Sequence, residues 1–404
     1  MIMGDGNGIR GTAMRKIGFM FVSLTACALG AAMGTMGGEP AAAPAAALPE
    51  NTWVSVNVDF GRTLKEFLND KKGGWSQSDG FSDSLYRSKT GTVIIRTGVD
   101  SKDLGYSPGF YTNASVEWDL AADTAKVLNV ANWGGGSYGH GRLLPAFKEH
   151  PTPTPRHTYD GMAYVPEKDV MYMMLGANWR IGGTGADEEA KARLAVDNGL
   201  TWRYDFKTGR WSSVDHNVWK LFKCSPYESH LEYWPEGKKL IFLNDGGNQY
   251  AEFDLEKEQW EKVALAGKCP MSLYNARSDW DSKRGLWVFR LGERLCTFDP
   301  KTRSFEALPD CYKLDPPRDE KGRSKDPRAA MKGVCYISRH DRYLVCGPTG
   351  NDTAAYDPGK KAWTPIRGGD LELVNGYMKY NPDLDVVAMN YQLKCFKFRY
   401  APAK

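Results

Sequence analysis

Short apolar runs, each closed by turn-forming polar residues, recur along this chain. The clearest recurrence is an aromatic followed by Asp, a second aromatic six residues after that Asp, and a hydrophobic residue three further on. It reads Tyr204-Asp205…Trp211…Val214, Phe253-Asp254…Trp260…Val263, Phe298-Asp299…Phe305…Leu308 and Tyr356-Asp357…Trp363…Ile366. Successive copies lie 49, 45 and 58 residues apart. Self-similarity at that period predicts an array of small repeated sheets, with function in the loops that depart from the pattern.

Each copy predicts two antiparallel strands and a turn. Residues such as Asp205-Phe206-Lys207-Thr208-Gly209 and Asp299-Pro300-Lys301-Thr302 fill the gap; Asp bonds its own downstream backbone and Pro presets φ. The flanking aromatics suit strands and pack between neighbouring sheets. Upstream lie apolar runs at 170–175, 240–243, 286–289 and 343–346, and before each a strand anchored at Tyr164, Tyr233, Trp280 or Tyr336. Four strands per repeat is the blade of a β-propeller.

Two more blades are degenerate. The first has Tyr86, the run 93–95 and Trp118-Asp119, with Ala125 in place of the second aromatic. The last has Tyr380, 386–389 and 396–400 and lacks an outer strand, whereas Trp53-Val54-Ser55-Val56 reproduces the missing Trp with Val three residues on. The expected fold is therefore all-β: a six-bladed propeller over residues 51–404, closed by an N-terminal strand that completes the C-terminal blade. A seventh blade has room only in the irregular stretch 57–80.

Tyr204…Trp211 and Tyr356…Trp363, together with the run 240–243 leading to Gly246-Gly247, resemble the kelch family of propellers, which includes the propeller domain of galactose oxidase. The resemblance covers about residues 85–400, and the chain keeps the Gly pair in one blade. It implies a fold and no particular activity. Galactose-oxidase chemistry needs copper held by Tyr and His and a Tyr–Cys crosslink, and no pattern here establishes one. No CxxC pair supports a zinc site. No cofactor is expected.

Residues 1–36 read as an export signal: Arg15 and Lys16, an apolar core at 17–23, then small residues. That core is too short to span a membrane. Leu24-Thr25-Ala26-Cys27 has the form of a lipobox, with Cys27 the lipidation site; an ordinary secretory cleavage nearby is the alternative. Residues 37–50 are a Pro/Ala linker. The expected location is extracytoplasmic, with membrane contact only through such an anchor. Export permits disulfides, and Cys335–Cys346 and Cys224–Cys269 are candidate pairs. Net charge is +4; three cations against Asp5 in residues 1–26 supply half of it. With no basic stripe, nucleic acid is excluded as a partner.

Candidate chemistry follows from alternation along the innermost strands. Three and five residues before each anchor lie Phe81 and Asp83, Tyr159 and Gly161, Glu228 and His230, Asn275 and Arg277, Met331 and Gly333, and Asn375 and Tyr377. His157 lies one step further out. His140, His150 and His157, half of the six histidines, crowd one insertion, which also carries Trp133, Gly134–Gly136, Tyr138 and Arg142. A Gly-rich loop approaches a ligand closely. A second insertion, 177–200, reads as a glycine hinge and a short charged helix: a solvated excursion, with a lid over the same mouth as the alternative.

Two readings follow. In the first, the ring mouth binds a polar ligand, carbohydrate above all: Trp133, Tyr138 and Tyr377 stack on sugar faces, and Glu228, Asn275, Asn375 and Arg277 bond hydroxyls or carboxylates. In the second, an enzyme acts on acidic sugars, with His140, His157 or His230 as base or acid, Tyr159 as proton donor and Arg277 neutralising a carboxylate. That set of residue types is similar to the one used by some propeller polysaccharide lyases.

Overall fold

The six-residue spacing within each phrase is a hairpin register. In the computed structural model Tyr204 faces Trp211, Phe253 faces Trp260, Phe298 faces Phe305 and Tyr356 faces Trp363 on neighbouring antiparallel strands. Their ring centroids lie 5.2, 5.1, 4.8 and 4.9 Å apart. The Asp fixes the turn. Asp205 Oδ1 accepts the backbone N–H groups of Lys207 and Thr208 at 2.7 and 3.1 Å; Asp119, Asp254 and Asp357 do the same two and three residues on. The fourth residue after the Asp turns left-handed, at Asp123, Gly209, Glu258, Arg303 and Lys361.

The structure describes residues 48–58, 83–97, 114–129, 153, 158–176, 199–214, 216–222, 230–244, 246–274, 276–311, 333–347, 349–373, 376–391 and 394–402. Within them lie six four-stranded sheets, the blades of a six-bladed propeller. Their innermost strands are Ser84–Arg87, Met162–Val165, His230–Trp234, Arg277–Asp281, Val334–Ile337 and Tyr377–Asn381, and all six anchor aromatics lie on them. The stretch allowed for a seventh blade falls almost entirely outside the described residues, as do insertions 131–150 and 177–198.

The ring closes as the pattern predicts. Trp53–Val56 pairs with Lys394–Phe398 as the outer strand of the last blade. Trp53 faces Phe398 with centroids 4.9 Å apart, the same aromatic pair that four other blades form within one hairpin. Its ring is buried, and its Nε1 donates to Thr353 Oγ1 at 2.8 Å. In the first blade Trp118 stands opposite Ala125, so the missing aromatic is a true gap.

A second repeat stitches blade to blade. Five residues after each anchor the backbone again turns left-handed, at Gly91, Asp169, Lys238, Gly285, Asp341 and Asp385. Where that residue is Asp, the anchor hydroxyl donates to it: Tyr164 to Asp169 at 2.9 Å, Tyr336 to Asp341 at 3.0 Å, Tyr380 to Asp385 at 2.7 Å. A basic group of the preceding blade completes each carboxylate. Arg87 bonds Asp169 bidentately at 2.9 Å, Arg284 bonds Asp341 at 2.7 and 2.9 Å, and His340 meets Asp385 at 3.1 Å. Arg284 holds Asp341, against burial, well below the usual carboxylate range. Asn381 closes the circle by donating to Gly91 O at 2.9 Å.

One cysteine expectation is corrected. Cys335 faces Leu344, which leaves Cys346 one diagonal step away, a separation too wide for a disulfide. The two do not pair with each other, and Cys346 Sγ sits 3.8 Å from Met389 Sδ. Cys269 forms no disulfide among the described residues; its expected partner, Cys224, lies outside them.

Candidate functional site

The residues just before the six anchors are Leu85, Ala163, Glu232, Asp279, Cys335 and Lys379 in blades one to six. Five of these positions, all but Cys335, line a cavity of about 340 Å³ together with the six anchors Tyr86, Tyr164, Tyr233, Trp280, Tyr336 and Tyr380. All six innermost strands contribute, which places the cavity on the axis. Ser88, Ser282 and Ser338, each exposed, also line it, so it lies toward the ends of the innermost strands.

Its polar groups are unbalanced. Lys379 is the one cation lining it among the described residues. Lys379 Nζ meets Asp279 Oδ1 at 3.2 Å, and Asp279 Oδ2 accepts the Tyr336 N–H at 2.8 Å. Glu232 Oε1 accepts the Tyr233 N–H at 2.9 Å. Burial pushes Glu232 up to about 8, aided by Asp279 and Asp160 and opposed by Lys379. Burial likewise raises Asp279 against the pull of Lys379. Lys379 itself is raised: its own burial would lower it, but Asp279, Asp83, Glu232 and Asp160 overcome that.

A second polar cluster lies near the starts of the innermost strands. His230 is buried, with Nδ1 2.6 Å from Asp160 Oδ2 and Nε2 2.9 Å from Leu273 O. Both ring nitrogens are therefore engaged, one by a carboxyl group and the other by a backbone carbonyl. Ser278 Oγ also donates to Asp160 Oδ2. Burial alone would raise Asp160, but His230, Lys379 and Ser278 bring it below its ordinary value. Asp83 takes the Met162 N–H on Oδ2 at 3.1 Å, and burial with the Asp160 charge raises it well above the ordinary range.

The sequence-derived candidates fall as follows. His230 is in this second cluster. Arg277 is buried, its guanidinium 4.1 Å from the centre of the Tyr377 ring and its Nη1 donating to Ala276 O at 3.2 Å. Tyr159 is buried in the left-handed region at φ 50°. His140, His157, Trp133, Tyr138, Glu228, Asn275, Asn375 and Cys27 lie outside the described residues. The cavity lies toward the ends of the innermost strands, whereas most sequence-derived candidates precede their starts.

The sequence reading stopped at three residues before the anchor. The position one before it carries Glu232, Asp279 and Lys379, and that concentration of charge on an axial row was a readable signal. No protein-family model matches the chain, and comparison with curated proteins gives no match. Function therefore rests on the site itself.

Proposed function

We propose that this protein is an exported, kelch-like propeller that binds a small polar ligand, a carbohydrate, in the axial cavity. The observation that carries this reading is one cavity combining six aromatic side chains with Glu232, Asp279 and Lys379. Aromatic faces pack against the C–H faces of a sugar, while carboxyl and ammonium groups bond its hydroxyls. A volume of about 340 Å³ sits at the small end of the roughly 300–1,000 Å³ of ligand sites and suits a short saccharide. Binding is favoured over catalysis on acidic sugars because both His230 nitrogens are already engaged and Arg277 is packed on Tyr377.

A glycan array probed with the full chain, followed by the same array with Ser282→Trp, tests this. Ser282 is exposed at the cavity, so a Trp there obstructs entry without disturbing a blade core. The expected result is a set of bound glycans lost in Ser282→Trp; glycans bound equally by both proteins place the binding face elsewhere. Anchoring through Cys27 belongs to the same reading, and the mass of the native N-terminus decides it.

A further inference from the structure

The Gly246-Gly247 turn of blade three lies directly on a cysteine. Gly247 is left-handed at φ 63°, and a Cβ there would stand 2.5 Å from Cys269 Cβ and 3.0 Å from its Sγ, closer than a side chain can come. Cys269 belongs to the connection between Gln259–Val263 of blade three and Arg277–Asp281 of blade four. It is half-buried, and its sulfur accepts a hydrogen bond from the thiol of Cys296. Cys296 is fully buried on the third strand of blade four, Arg294–Asp299. Both side chains pack into the core shared by blades three and four.

We propose that Cys269 and Cys296 are an oxidisable pair that closes to a disulfide and clamps the connection between blades three and four onto blade four. Sulfurs already in hydrogen-bond contact need only a small shift to reach the roughly 2.05 Å of an S–S bond. The two thiols are unequal. The bond from Cys296 pulls the Cys269 thiol below its ordinary value, while the same bond, with burial, pushes Cys296 well above it. Cys269 is thus the readier thiolate and the one nearer solvent, so it attacks first. The oxidant is itself a disulfide, small or protein-borne. Cys269 loses its proton to solvent and attacks one oxidant sulfur; the oxidant's S–S bond breaks and one thiolate leaves. Cys296 then loses its proton and attacks Cys269 Sγ, and the second oxidant thiolate leaves. The protein gives up two electrons and two protons, and the oxidant becomes two thiols. The bridge would stand four residues from Leu273, whose carbonyl lies 2.9 Å from His230 Nε2, so it also secures the segment that holds His230. The pairing is independent of any ligand in the axial cavity, and its partner is Cys296 rather than Cys224.

The full native chain is incubated with oxidised glutathione, alkylated with iodoacetamide in guanidinium and digested with trypsin without reduction. The expected product joins peptide 269–277 to peptide 295–301, lighter than their sum by two hydrogens. The oxidised protein should melt about 5 °C above the reduced one, the scale for closing a loop of about 28 residues in a chain of this size. Cys269→Ala should abolish that gain and leave Cys296 an alkylated thiol, because its buried sulfur does not meet the oxidant. The peptide map of the wild type decides the pairing without any variant. Cys269 joined to Cys224, Cys269 carrying glutathione beside an alkylated Cys296, or both thiols alkylated after oxidation would each overturn the proposal.

Discussion

Deleting residues 51–58 will open the ring. Those residues supply the outer strand of the last blade, and Trp53 fills the aromatic position opposite Phe398. Trp53 is 4% exposed and belongs to the core shared by the last two blades. Trp53→Ala alone should cost about 3–5 kcal/mol, the usual range for truncating a buried aromatic. The full deletion should cost more, because it also strips the strand pairing of Lys394–Phe398 and the backbone bond from Trp53 N to Gly368 O at 2.9 Å. Urea unfolding of the wild type, Trp53→Ala and the deletion gives the comparison. A deletion whose midpoint matches the wild type would mean that the last blade stands without its borrowed strand.

Lys379→Met should be as damaging, for an electrostatic reason. Lys379 lies 3.2 Å from Asp279 and also offsets Asp83, Glu232 and Asp160. Its side chain is 13% exposed and that of Asp279 15%. Removing one partner of a nearly buried pair leaves a buried charge uncompensated, at about 3–5 kcal/mol. The loss depends on pH with a definite sign. Lys379 lowers the folded-state pKa of Asp279, Asp83, Asp160 and Glu232, so without it each acid keeps its proton to higher pH, the folded variant binds more protons than the folded wild type, and the deficit grows as pH rises. Glu232 stands at about 8 with Lys379 present, so its share of the deficit enters only above that pH. The deficit of Lys379→Met relative to wild type should therefore be larger at about pH 9 than at about pH 5. Adding Asp279→Asn should recover much of it. A deficit independent of pH would show that Lys379 acts by packing alone.

The scaffold was legible in the sequence because its signals are local. An aromatic and its partner six residues past the Asp are cross-strand neighbours in one hairpin, so the repeat could be read directly. Trp53 was legible as an orphaned half of that phrase. The recurring anchor-to-turn step, with Asp169, Asp341 and Asp385 five residues after a Tyr, was equally local but lay hidden because Gly or Lys replaces Asp in the other blades. What Asp169, Asp341 and Asp385 bind was not legible: Arg87, Arg284 and His340 come from the preceding blade, and only the closed ring brings them near.

The site was legible in part for a related reason. His230 meets Asp160, Ser278 meets the same carboxyl, and Arg277 stacks on Tyr377, all contacts between strands distant in sequence. The cavity likewise draws Leu85, Ala163, Glu232, Asp279 and Lys379 from five different strands. No single strand reveals either grouping.

The most direct measurement is a crystal structure of the protein soaked with the tightest-binding glycan from the array. The account predicts density for the ligand on the ring axis, within hydrogen-bond distance of Glu232, Asp279 or Lys379 and against Trp280. Density at the opposite mouth or on an outer blade edge, with the axial cavity empty of sugar, would contradict it.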